Sequence, residues 1–145
     1  MADIKRITIK GESGYGLIDQ AYSDKVTIES GSIKYEYVPL IESENNIARK
    51  WTYKTTNPIF NCFFTEVSIA VEAIINWDLD GFCTDIGAIT FTITYVDKSK
   101  RTRGFYLPGD EFKDCFAIIK QMRPASESIP EVLRTSEDYI DEDEE

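Results

Sequence analysis

The densest carboxylate group outside the C-terminus is Asp78, Asp80 and Asp85. Carboxylates at short spacing can bind calcium, or act as general acid and base in a pocket. An EF-hand is excluded, because positions five and twelve of a loop counted from Asp78 are Phe82 and Ile89. Asp and Gly are common turn formers. The sequence therefore favours a turn that ends a helix, with a small hydrolase or ligand-binding protein as the alternative.

The chain contains no histidine and three cysteines. Catalytic triads, zinc sites and proton shuttles that depend on imidazole are thereby excluded, and a nucleophilic thiol would have no imidazole base to activate it. Cys62, Cys83 and Cys115 are widely spaced and form no CxxC pair, which favours a reducing, cytoplasmic compartment over a disulfide-stapled secreted domain. The sequence thus favours a protein that is not an enzyme and has neither cofactor nor metal.

Four positive charges surround one predicted turn, at Lys98, Lys100, Arg101 and Arg103. Basic residues beside aromatic side chains can hold phosphates and stack bases. The same charges would keep an exposed hairpin from pairing with another sheet edge. The chain has no RNP-type octamer, and its acidic C-terminus would compete with nucleic acid. Nucleic-acid binding is therefore an alternative rather than the favoured function.

The acid excess is concentrated at the C-terminus. The chain has 16 basic and 26 acidic residues, and residues 137–145 hold seven of the carboxylates with no basic side chain. Like charges at that density repel and stay in water, so we expect a disordered tail after a domain of residues 1–136. A solubilising terminus is the favoured interpretation. The alternative is a segment that docks on a basic partner or screens the protein from nucleic acid.

Hydrophobic periodicity predicts the elements that position these residues. Up to residue 55 apolar and polar residues alternate, which predicts five strands. One of them runs through Leu17 and Ile18, and the clearest signal is a hairpin around Ser30 and Gly31. Asn57 and Pro58 form a helix-start signal. Apolar residues at steps of three and four then predict a helix to about Trp77.

The second half of the chain repeats the change from strand to helix. Residues 89–95 alternate between apolar residues and threonines, and residues 101–107 follow after a turn. The apolar positions from Phe112 to Met122, with Cys115 among them, form one helical stripe that Pro124 stops. Short connections favour antiparallel strands. The predicted class is α+β: a single domain with an antiparallel sheet of about six or seven strands and two helices on one face, in the order β-β-β-β-β-α-β-β-α.

This arrangement leaves two surfaces for a partner. One is the threonine face of the sheet, and the other is the side of the first helix away from its apolar stripe. No uninterrupted apolar run reaches the roughly 18 residues of a membrane span, so no membrane partner is expected. The favoured function is a non-enzymatic module that binds another protein, while the partner and the oligomeric state stay open. Its candidate contact residues are Cys62, Ile69, Ala73, Thr90, Thr92 and Thr94.

Overall fold

Six strands form one antiparallel sheet in the order β4-β3-β2-β1-β5-β6. The computed structural model describes residues 3–13, 21–42, 47–77, 88–107, 109–124, 127 and 129–135. The predicted α+β class, with two helices and an antiparallel sheet, is confirmed; a further strand predicted through Leu17 and Ile18 falls outside the described residues. The strands are β1 (Ile4–Glu12), β2 (Tyr22–Glu29), β3 (Ser32–Pro39), β4 (Arg49–Lys54), β5 (Ile89–Tyr95) and β6 (Lys100–Phe105). The helices are α1 (Pro58–Ile75) and α2 (Lys113–Met122), with 3-10 turns at Gly109–Phe112 and Glu131–Leu133.

One face of the sheet carries the core. Side chains alternate between the faces of a strand, and on the four central strands most of the residues that face the core are apolar with almost no exposed surface. The register joins these residues into rows that run across the sheet. The first row is Ile93–Ile7–Ile28–Ile33, and the second is Phe91–Ile9–Val26–Tyr35.

Helix α1 begins where its sequence signal predicts. The Asn57 side chain accepts a hydrogen bond from the Ile59 backbone N–H at 3.0 Å, and Pro58 occupies the first helical position. The helix ends two residues before the predicted Trp77, whose ring instead stacks on Phe112 with centroids 5.4 Å apart. The buried stripe packs against β1, β5, β6 and α2. It consists of Phe60, Phe64, Val67, Ser68, Val71, Ile74 and Ile75.

Helix α2 completes the layer above the sheet. A 3-10 turn at Gly109–Phe112 precedes it, and the helix ends two residues before Pro124. Cys115 is 3% exposed, which confirms its predicted core position, and burial raises the pKa of its thiol to about 12. Aromatic side chains of α2, the 3-10 turn before it, β5 and β6 touch one another edge-on, tilted or stacked. They are Phe91, Phe105, Phe112 and Phe116.

The C-terminal segment 129–135 lies on the same face, over β1 and β2. It is held by Asp24, a carboxylate only 2% exposed. Asp24 Oδ2 accepts hydrogen bonds from the Tyr35 hydroxyl at 2.9 Å and from the Val132 backbone N–H at 2.8 Å. The Glu131 backbone N–H donates to the Tyr35 oxygen at 3.3 Å. This network joins the end of the chain to two strands that lie about a hundred residues earlier.

Asp24 is buried at a cost that its two hydrogen bonds do not cancel. Its Oδ1 atom has no hydrogen-bond partner. Desolvation raises the pKa of Asp24 to about 6, although the hydrogen bonds from Val132 and Tyr35 favour the charged form. Gly11 makes the close packing here possible. A Cβ at that position would lie 2.5 Å from Asp24 Oδ1 and 2.7 Å from Val132 Cγ2.

Gly11→Ala is expected to lower the free energy of unfolding by about 1–3 kcal/mol, because the methyl group overpacks the contact between β1 and residue 132. Urea unfolding measures the loss, and hydrogen exchange at the Val132 amide shows whether segment 129–135 is released. Gly104→Ala is the matched control on β6, since its Cβ would meet only the Thr90 hydroxyl, at 3.3 Å. Equal losses in the two variants would contradict the prediction.

Asp24 is expected to make the protein less stable at neutral pH than at pH about 4.5. Its folded pKa of about 6 lies above the ordinary aspartate value of 3.8, so the native state binds this proton more tightly than the unfolded chain does. The stability difference between wild type and Asp24→Asn should therefore move in favour of wild type as the pH falls from about 6.5 to about 4, by up to about 3 kcal/mol. Urea unfolding of both proteins across this range measures it. A difference that does not change with pH would contradict the raised pKa.

Candidate binding surface

The sheet has a second face, over which no described helix or 3-10 turn packs. We call it the open face. Its side chains are those between the buried positions of each strand, and most are exposed or half-buried. It comprises Arg6, Thr8, Lys10, Glu12, Ser23, Lys25, Thr27, Glu29, Ser32, Lys34, Glu36, Val38, Lys50, Thr52, Lys54, Thr90, Thr92, Thr94, Lys100, Thr102 and Gly104.

Threonines form a continuous row across the middle of the open face. The register aligns Thr102, Thr92, Thr8 and Thr27 on four neighbouring strands. The hydroxyl oxygens of Thr92 and Thr102 lie 3.2 Å apart, within hydrogen-bond distance. Of the threonines predicted as partner contacts, Thr90 and Thr92 are half-buried on this face, whereas Thr94 is only 8% exposed and offers little surface.

The open face is basic although the whole chain is acidic. It carries seven cations and three carboxylates, against a net charge of −10 for the chain. Ion pairs join Arg6 to Glu29 at 3.2 Å and Lys10 to Glu12 at 3.6 Å. The cations are Arg6, Lys10, Lys25, Lys34, Lys50, Lys54 and Lys100, and the carboxylates are Glu12, Glu29 and Glu36.

Glu36 lies among three lysines. Its carboxylate pairs with Lys34 at 2.8 Å and with Lys25 at 4.0 Å. The hydrogen bond from Lys34 lowers the pKa of Glu36, and the charges of Lys25, Lys34 and Lys50 lower it further. Lys10 lies directly opposite Lys25 in the register, an arrangement of like charges that opposes strand pairing. The single negative charge of Glu36 is thus outnumbered by the positive charges of the lysines around it.

The basic hairpin predicted at residues 98–103 divides between the two faces. Lys100 lies on the open face, whereas Arg101 and Arg103 reach the end of α1 on the helical side. Arg103 donates to the backbone oxygen of Ile75 at 3.1 Å and to that of Trp77. Arg101 donates to the side-chain oxygen of Asn76. Cations are favourable at a helix C-terminus, so both arginines have a structural role there.

The outer side of α1 is a second uncovered surface. Cys62 and Ala73 are exposed and Ile69 is 67% exposed, as the sequence predicts for the side away from the stripe. A shallow groove of about 400 Å³ runs beside it, between Ile4 and Ile69. By its length and its mean hydropathy of 1.5, α1 could cross a membrane, although its sequence contains no unbroken apolar run of that length. This is weak support for a membrane segment, because core helices of this length meet the same criterion.

The remaining predicted site residues lie outside the described residues. They are Asp78, Asp80 and Asp85, together with Cys83 and the acidic segment 137–145. Within the described ranges, no group of three or more Cys, Asp or Glu side chains could hold a metal ion. The sequence interpretation overlooked Asp24, although an acid in phase with the buried Val26 and Ile28 was a signal for it.

The comparisons add no relative from which a function could be transferred. No protein-family model matches the sequence, and no curated protein matches it. Function is therefore inferred from the residues of the open face and of the outer side of α1. The open face is set apart from the outer side of α1 by its excess of cations.

Arg103→Ala is expected to lower the free energy of unfolding by about 1–2 kcal/mol, because the last carbonyls of α1 lose a charged donor. The guanidinium also lies 4.7 Å from the centre of the Phe105 ring, a contact that would be lost. Lys100→Ala, one face away on the same strand, should change stability by less than about 0.5 kcal/mol. Urea unfolding measures both, and equal effects would contradict the structural role of Arg103.

Proposed function

We propose that the protein is a non-enzymatic module that binds another protein through the open face. The observation that carries the proposal is the excess of cations on this face in a chain of net charge −10. An uncovered sheet face would not by itself indicate a binding function, since antiparallel sheets often have one solvated side. The juxtaposition of Lys10 and Lys25 is different, because it works against folding and suits a negatively charged partner.

The same residues favour an acidic protein surface over nucleic acid. None of the open-face residues is aromatic, so bases would find no ring to stack on. Threonine hydroxyls and lysine ammonium groups offer hydrogen-bond donors that suit carboxylates. Of the four basic hairpin residues, Arg101 and Arg103 are already engaged with the end of α1. Nucleic-acid binding through Lys98 and Lys100 stays an alternative with less support.

Two further expectations stay predictions. Cys62 and Cys115 are free thiols, which is compatible with the cytoplasm as the location. A hydrolase or ligand-binding activity would depend on Asp78, Asp80 and Asp85, which lie outside the described residues. The outer side of α1 is the second candidate surface for a protein partner, because Ile69 is 67% exposed there.

The test is affinity capture from the native host with charge-reversal variants. The double variant Lys25→Glu, Lys34→Glu should lose at least about tenfold of a partner that the wild type retains, because two attractive contacts become repulsive. Lys113→Glu is the matched control, since Lys113 is an exposed lysine on α2. Circular dichroism establishes that each variant is folded.

Two results would contradict this function. Partner capture that survives the double variant but is lost in Ile69→Lys would move the site to α1. Capture that disappears after nuclease treatment of the lysate would show that the retained species is a nucleic acid or depends on one.

A further inference from the structure

We propose that residues 137–145 of the same chain bind the lysine row at one end of the open face. The row is Lys10–Lys25–Glu36–Lys50. The partner of this surface would then compete with a segment that the protein carries itself. The proposal concerns an intramolecular contact, so it does not depend on the function proposed above.

The last described segment of the chain lies at the same end of the sheet as the lysine row. Val132 is bound to Asp24, and Glu131 pairs with Arg49 at 3.5 Å. In the register, Gly11, Asp24, Tyr37 and Arg49 form one row on the covered face. The residues immediately next to them in sequence form the lysine row on the open face. Segment 129–135 therefore crosses the covered face at the same end of the sheet as the lysine row.

The chain after Thr135 is long enough to reach the lysine row. Ten residues follow Thr135, and an extended chain of that length spans up to about 33 Å. Passing round the end of the strands requires a distance comparable to the roughly 10 Å spacing between packed layers. Lys10 and Lys25 lie two residues from the last β1–β2 pair, Glu12 and Ser23, or about 7 Å. About 16 Å then remain, so about five residues at the end of segment 137–145 can lie along the row.

Segment 137–145 and the lysine row carry opposite charges. The segment holds seven carboxylates, and the row with neighbouring Lys34 holds four ammonium groups and the single carboxylate of Glu36. Lys50 makes no ion pair with any described residue. A covalently attached segment is present at an effective concentration of the order of millimolar, so weak individual contacts suffice. A second copy's open face is disfavoured as the occupant, because two such faces carry the same sign of charge.

Lysine labelling with an N-hydroxysuccinimide ester, read by mass spectrometry, tests the proposal on the full chain. A bound carboxylate raises the pKa of an ammonium group and slows its acylation. The comparison protein has the carboxylates of the segment converted to amides, so that its length is kept. Its substitutions are Glu137→Gln, Asp138→Asn, Asp141→Asn, Glu142→Gln, Asp143→Asn, Glu144→Gln and Glu145→Gln.

The amide variant should label about twofold or more faster at Lys10, Lys25 and Lys50. Two internal controls should stay near the wild-type rate. Lys54 lies on the same strand and face as Lys50 but four residues away, about 13 Å, and Lys113 lies on α2. Adding about 0.5 M salt to the wild type should reproduce the faster labelling of the row.

Three results would overturn the proposal. Unchanged labelling of the row in the amide variant would show that the segment does not bind there. An equal increase at Lys54 and Lys113 would show only a general effect of net charge. Protection that grows between about 1 and 100 µM protein would show that the segment acts on another copy, because an intramolecular contact does not depend on concentration.

Discussion

One constraint organises the described part of this protein: its elements bury only one face of the sheet. Two helices and one short C-terminal segment cover apolar strand residues there, and all three lie on the same side. Alternation along each strand therefore sends Ile7, Ile28 and Ile93 into the core, and the polar residues between them to the other side. The basic open face is a direct result of this constraint. The charged residues lie on the open face because they alternate along each strand with core residues that must face the helices.

Asp24 is the exception that closes the core at one end. A polar residue in this position would be expensive if it had no partners, and here Tyr35 and Val132 supply two donors to one oxygen. Gly11 supplies the space that the other oxygen occupies. The outcome is a contact between strands near the start of the chain and a segment near its end. It fixes segment 129–135 on the covered face, and residues 136–145 continue from there.

Local patterns predicted the parts of the structure that local physics determines. The cap at Asn57, the stripe of α1 and the burial of Cys115 all follow from spacing along the chain. The pairing of β1 with both β2 and β5 does not, because it depends on contacts between residues far apart in sequence. The basic hairpin shows the same limit. Its charges were visible in the sequence, but only the position of the α1 C-terminus separates Arg103 from Lys100.

The central place of β1 has a consequence for how the chain is made. Of the six described strands β1 is synthesised first, and one of its two neighbours, β2, follows within about ten residues. Its other neighbour, β5, begins at Ile89, about 77 residues after β1 ends. At synthesis rates of 5–20 residues per second, one long edge of β1 stays unpaired for roughly 4–15 seconds. During that interval the nascent chain presents a template on which neighbouring nascent chains could assemble, so its yield depends on the cell's capacity to shield that edge.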